Sequence, residues 1–171
     1  MPKTMLVLSL SAPASVAVGA PVSIRVALEN RSGQAIWVVG VLDGSEAGAR
    51  FPHYLPTISG PPGVPEPPPP WCGMLMPLRL QEFQLLQAGK QFDPTQATAE
   101  ASFVPITIFT NFRASQPGRY SFHLTFSTLS QGDDAWLGAA GGSEEAAVRR
   151  RIAQVPRMQI VAQPVIVEVK A

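Results

Sequence analysis

Pro21-Val-Ser-Ile-Arg-Val-Ala-Leu-Glu29 is the stretch that decides the fold class. Successive side chains of an extended chain point to opposite faces. Val22, Ile24, Val26 and Leu28 therefore share one face, while Ser23, Arg25, Ala27 and Glu29 share the other. One apolar face and one largely wet face describe a strand of an antiparallel sheet covered on one side.

The pattern recurs on either side of this stretch. Asn30-Arg-Ser-Gly33 supplies turn chemistry, and residues 35–42 resume as a nearly continuous apolar strand around Trp37. Residues 120–128 alternate again, with Tyr120, Phe122, Leu124 and Phe126 on one side and Ser121, His123, Thr125 and Ser127 on the other. Near the end, Val165, Val167 and Val169 alternate with Ile166, Glu168 and Lys170. The short apolar run of residues 5–10 reads as the first strand, since it is shorter than a signal-peptide core and Pro13 soon follows. Residues 77–86 and 103–112 also read as strands. Pro105 confines the second to the start or edge of its sheet, because proline donates nothing to a ladder.

Eighteen prolines and fourteen glycines cut the chain of 171 residues into short segments, as an all-β protein requires. The length suits one domain spanning residues 1–171, with two long insertions at about 43–73 and 130–156. The first contains Pro61-Pro-Gly-Val-Pro-Glu-Pro-Pro-Pro-Pro70, which reads as an extended, polyproline-like loop. The second holds the one helical signal. Ser143 reads as its N-cap, Val148, Ile152 and Val155 form its apolar stripe, and Glu145 precedes Arg149 by one turn.

In this order the features resemble an immunoglobulin-like β-sandwich, of the kind found in many bacterial domains. Gln116-Pro-Gly-Arg-Tyr-Ser-Phe122 is similar to the tyrosine corner of that fold, and Trp37 stands where it places a buried tryptophan. Phe122 occupies the position at which antibody domains carry a cysteine. The opening strand, with residues 11–24, and the closing residues 163–169 fit as well. The resemblance implies a fold and no particular activity, since this architecture hosts many functions.

Charge and cysteine content narrow the chemistry. Thirteen Lys and Arg against twelve Asp and Glu leave a formal charge of +1, which draws neither nucleic acid nor an anionic membrane. No stretch approaches the roughly 20 apolar residues of a membrane span. The single cysteine, Cys72, excludes an intrachain disulfide and favours a reducing, cytoplasmic setting. His53 and His123 stand 70 residues apart without a nucleophile motif (123 − 53). A pairing of His53 with Cys72 lacks a third, orienting residue. Asp133-Asp134 reads as a solvated turn in preference to a calcium loop, and Asn30-Arg-Ser32 as a turn in preference to a glycosylation site. Arg149-Arg-Arg151 reads as a solvated helix face.

The expectation is thus a non-enzymatic protein-interaction or structural module whose insertions meet a partner protein, with no catalytic, metal or cofactor site. The contact residues expected are Phe51, His53, Tyr54, Trp71 and Trp136, with Pro62, Pro65 and Pro68 in P-x-x-P spacing beside them. Two other readings are an inhibitor presenting the 61–72 segment to a hydrolase, and a carbohydrate-binding module stacking sugars on Trp71, Trp136 and Tyr54. Buried rings would remove the second.

Overall fold

The computed structural model describes residues 5–68, 70, 73–139 and 142–171. The elements in order are β1 (Leu6–Ser11), β2 (Ser15–Ala17), β3 (Arg25–Asn30), β4 (Ile36–Val39), β5 (His53–Ser59), a 3-10 turn (Leu80–Glu82), β6 (Phe83–Leu86), β7 (Gln91–Phe92), α1 (Thr107–Asn111), β8 (Gly118–Ser127), α2 (Asp134–Leu137), α3 (Glu145–Ile152), β9 (Gln159–Val161) and β10 (Val165–Lys170). The fold is mainly β, with three short helices among the described residues.

Strand β8 is the axis of the larger sheet. It pairs antiparallel with β5 along one edge, from His53↔Ser127 to Ser59↔Ser121. Its other edge carries β9 and then β10, also antiparallel. Strand β10 in turn holds β2 in parallel register, Glu168↔Ser15. The opening segment thus serves two sheets: β1 pairs antiparallel with β3, and after Pro13 the chain crosses to β10. The smaller sheet runs β1-β3-β7, and β4 pairs with β6 alongside it.

The inward rows of both main sheets meet in one cluster. Leu8, Val26 and Leu28 come from the smaller sheet, and Tyr54, Ile58, Tyr120, Phe122, Leu124 and Phe126 from the larger. Each such side chain, once fully buried, contributes about 1.5–3 kcal/mol, so the alternation along β8 is a large share of the driving force. The apolar rows of residues 22–28, 120–126 and 165–169 all face inward as their spacing requires, with Ile24 and Val165 only half-buried.

Asn30 ties the jog between β3 and β4. Its buried amide donates to the carbonyls of Gln34 and Leu86, and its side-chain oxygen accepts from the backbone N–H and hydroxyl of Ser32. Every polar group of this side chain is therefore used inside the fold, which leaves no amide for a glycan.

Four expectations are corrected. Residues 43–73 are not a single insertion, because β5 lies within them and is a framework strand. Tyr54, Pro56 and Ile58 alternate inward there, and the proline masks the strand in the sequence. Proline is tolerated because β5 is an edge: the N–H of Tyr54 turns away from β8 to Ser45, and Pro56 two residues on faces the same side. Residues 103–112 form no strand but lead into helix α1. Glu46 fixes this helix, its carboxylate accepting from the N–H groups of Thr107 and Ile108 and from the Thr107 hydroxyl. Residues 77–86 are strand only from Phe83 on.

Trp37 is the fourth. It is half-buried, not internal, because Ile36 and Val38 take the inward positions of β4. Its outer face carries the Arg151 guanidinium, 3.6 Å from the ring centroid.

The corner expected at residues 116–122 does form. Tyr120 is fully buried, and its hydroxyl donates to the Gln116 carbonyl at 3.0 Å. Tyr120→Phe removes this bond without a cavity and is expected to cost about 1 kcal/mol. Chemical denaturation with an unchanged m-value checks it.

Candidate functional site: the proline strut and its groove

The strut starts at a turn dictated by its own residues. Pro62 presets its backbone for the second position of a type II turn, and Gly63, at φ 86°, supplies the positive φ required at the third. The turn closes with the Val64 N–H donating to the Pro61 carbonyl at 3.2 Å. Beyond it a polyproline chain repeats every three residues. Val64, Pro67 and Pro70 are half-buried at that spacing, while Pro65, Glu66 and Pro68 are exposed.

Bare backbone fixes the base of the strut. A β-carbon on Gly60 would lie 2.6 Å from the Tyr120 ring, and one on Gly118 would collide with the Pro61 ring. Gly118 also holds φ at 141°, a region that favours glycine. Along its length the strut forms one wall of a groove of about 470 Å³, whose other wall runs from Thr107, Ile108 and Asn111 to Arg113 and Ser115. Among the described residues, Glu66 has no ion-pair partner.

The aromatic residues expected at the surface are placed differently. Tyr54 is fully buried and its hydroxyl donates to the Val39 carbonyl at 2.7 Å. Trp136 is fully buried too, with its indole N–H on the Ser130 hydroxyl at 2.7 Å. Phe51 is half-buried, stacked on the His53 ring at 3.7 Å and 16° and facing Trp136 at 6.0 Å. Trp71 lies outside the described residues. Two of the three rings of the supposed sugar platform are thus internal, and that platform does not form. The physical reason is that a long connection needs pins, and these large rings serve as pins.

Residues 130–156 are held by a second apolar cluster, in which Trp136, Val148, Ile152 and Val155 meet Val39 and Phe83. The apolar stripe of α3 is as its spacing requires. Glu144 takes the N-cap position in place of Ser143, and its carboxylate accepts from the Leu80 N–H. Arg149 bonds Glu145 and Asp134, and Arg157 pairs with Asp133. Both aspartates of the 133–134 pair are therefore engaged with arginines.

Arg50 joins the pieces. It is 2% exposed, and its guanidinium donates to Asp43, to the Met76 carbonyl and to the Trp136 carbonyl. Asp43 also accepts from the Met76 N–H. Three segments distant in sequence converge on one cation, beside a cavity of about 500 Å³ floored by Leu42, Leu78 and Val104. Asp43 is near Arg50 in sequence, but the two carbonyls it binds and the N–H groups that Glu46 caps lie far along the chain, so the local sequence marks neither residue.

Other candidates stay apart. His123 lies within 2.8 Å of the Ser121 hydroxyl on the outer face of β8, and among the described residues no carboxylate bonds its ring. Cys72 is outside the described residues, so a pairing with His53 has no geometry. No group of three or more His, Cys, Asp or Glu among the described residues is arranged to hold a metal ion. Among the same residues no helix is long and apolar enough to cross a membrane. Comparison with protein-family models, curated proteins and solved structures returns no match to this chain.

Two predictions follow from the packing. Arg50→Met strands Asp43 and two carbonyls and is expected to destabilise by about 3 kcal/mol, measured by urea denaturation. Burial lowers the pKa of His53 below its ordinary value. The unfolded chain then binds more protons than the folded one as pH drops through about 6.5 toward the lower folded value, so stability falls on acidification. His53→Gln is expected to flatten the melting-temperature profile between about pH 7.5 and 5.5; an unchanged profile would contradict the assignment.

Proposed function

We propose that this chain is a non-catalytic protein-interaction module on an immunoglobulin-like β-sandwich, and that it presents residues 64–68 to a partner protein. Support for the fold comes from the antiparallel β1–β3 pair, the parallel β2–β10 pair and the Tyr120 corner. The observation that carries the function is the seating of the strut. Among the described residues Val64, Pro67 and Pro70 are turned toward the body, while Pro65, Glu66 and Pro68 are left in water. A segment fixed in this way loses little conformational freedom when a partner grips it. The single cysteine suits a reducing compartment.

The test is a photo-crosslinker, p-benzoylphenylalanine, placed at position 66 in cells that make the protein natively. Position 87, exposed in the β6–β7 turn, serves as the control. A discrete protein adduct from position 66 and none from 87 is the expected result. Adducts of equal yield from both positions, or none from 66, would remove the proposal.

A further inference from the structure

We infer that the partner reads the strut with an aromatic-lined groove carrying a basic rim, an inference that rests on the presentation role proposed above. Pro65 and Pro68 are exposed, three residues apart, and so lie on one row of a polyproline helix, roughly 9 Å from each other. Rows of this kind are what flat aromatic side chains on SH3, WW and EVH1 domains accept, each proline ring filling the space between two aromatic rings. The opposite row cannot be read, because Val64 and Pro67 are turned onto the body and Val64 packs against the main core. The orientation of the partner is therefore set by the seating.

Glu66 supplies the charge preference. It is exposed between the two prolines, and no cation of this chain among the described residues pairs with it. Arg113, across the groove, already donates to the carbonyls of Thr110 and Phe112. A Lys or Arg on the partner's rim would meet Glu66 at close range, and an acidic rim would be repelled. The facing wall mixes polar Asn111 and Arg113 with apolar Ile108 and Phe112, so the partner's edge meets hydrogen-bonding groups and apolar surface there as well as the proline row.

The experiment is calorimetric titration of the whole chain against a panel of purified SH3, WW and EVH1 domains with acidic and basic rims. Basic-rim domains are expected to bind and acidic-rim domains to bind at least about ten-fold more weakly, a difference of about 1.4 kcal/mol. The double variant P65A/P68A should weaken the binding about ten-fold or more, and Glu66→Gln should flatten its dependence on salt between about 0.05 and 0.5 M. Both sites are exposed, and thermal melts matching the parent chain confirm that folding is intact. Binding unaffected by P65A/P68A, or no preference for basic rims, overturns the inference. If no domain of the panel binds while crosslinks still form at position 66, this inference fails and the presentation role stands. Loss of both removes the two together.

Discussion

Two glycines and one tyrosine hold the structure at its most constrained point. The Tyr120 ring closes over the bare backbone of Gly60, and Pro61 closes over the bare backbone of Gly118. No β-carbon fits at either glycine without displacing a ring. The hydroxyl of the same tyrosine reaches back to Gln116, so the turn entering β8 and the turn leaving β5 are fixed by one side chain. The proline strut begins there, at Pro61. A chain that lost this closure would keep its prolines and lose the direction in which they point.

A second anchor works by charge where the first works by close approach. Arg50 is buried and binds two carbonyls and a carboxylate from three separate segments. A lysine could not span these partners, since a single ammonium lacks the planar fork of a guanidinium. Trp136 sits beside this cluster with its one polar atom satisfied by Ser130, and Phe51 links it to His53. Among the described residues between β8 and β9, Trp136 and the buried face of α3 are therefore part of the body. The strut and the groove at its side lie outside this cluster.

Much of the framework was legible because burial and period coincide. Residues 22–28, 120–126 and 165–169 each alternate cleanly, and each turns its apolar row inward. Strand β5 is hidden in the sequence because a proline, Pro56, stands between Tyr54 and Ile58 in its inward row. Only the edge position, invisible in the sequence, makes that proline harmless. Helix α1 is not legible as a helix, because its N-terminus is held by Glu46, about 60 residues earlier. Val104, Ile106 and Ile108 share one face of an extended chain and so read as strand, whereas the side chains the fold buries are Ile106 and Phe109, at helical spacing. At the site, the prolines announced themselves through composition, and the structure added which of them face water. Tryptophan is enriched at interfaces and also among the pins of long loops, so Trp136 could not be placed by residue type alone.

The claim that close approach at the corner orients the strut is open to one direct measurement. Gly118→Ala and Gly19→Ala both force a β-carbon onto a positive φ, but Gly19 has nothing within 4 Å and so reports backbone strain by itself. Hydrogen exchange of the Val64 amide, which closes the turn at the strut's base, is the readout. Gly118→Ala should speed that exchange at least about ten-fold and destabilise the chain beyond the Gly19→Ala variant. Equal destabilisation by the two variants, with the Val64 amide as protected as in the parent chain, would contradict the role given to this contact.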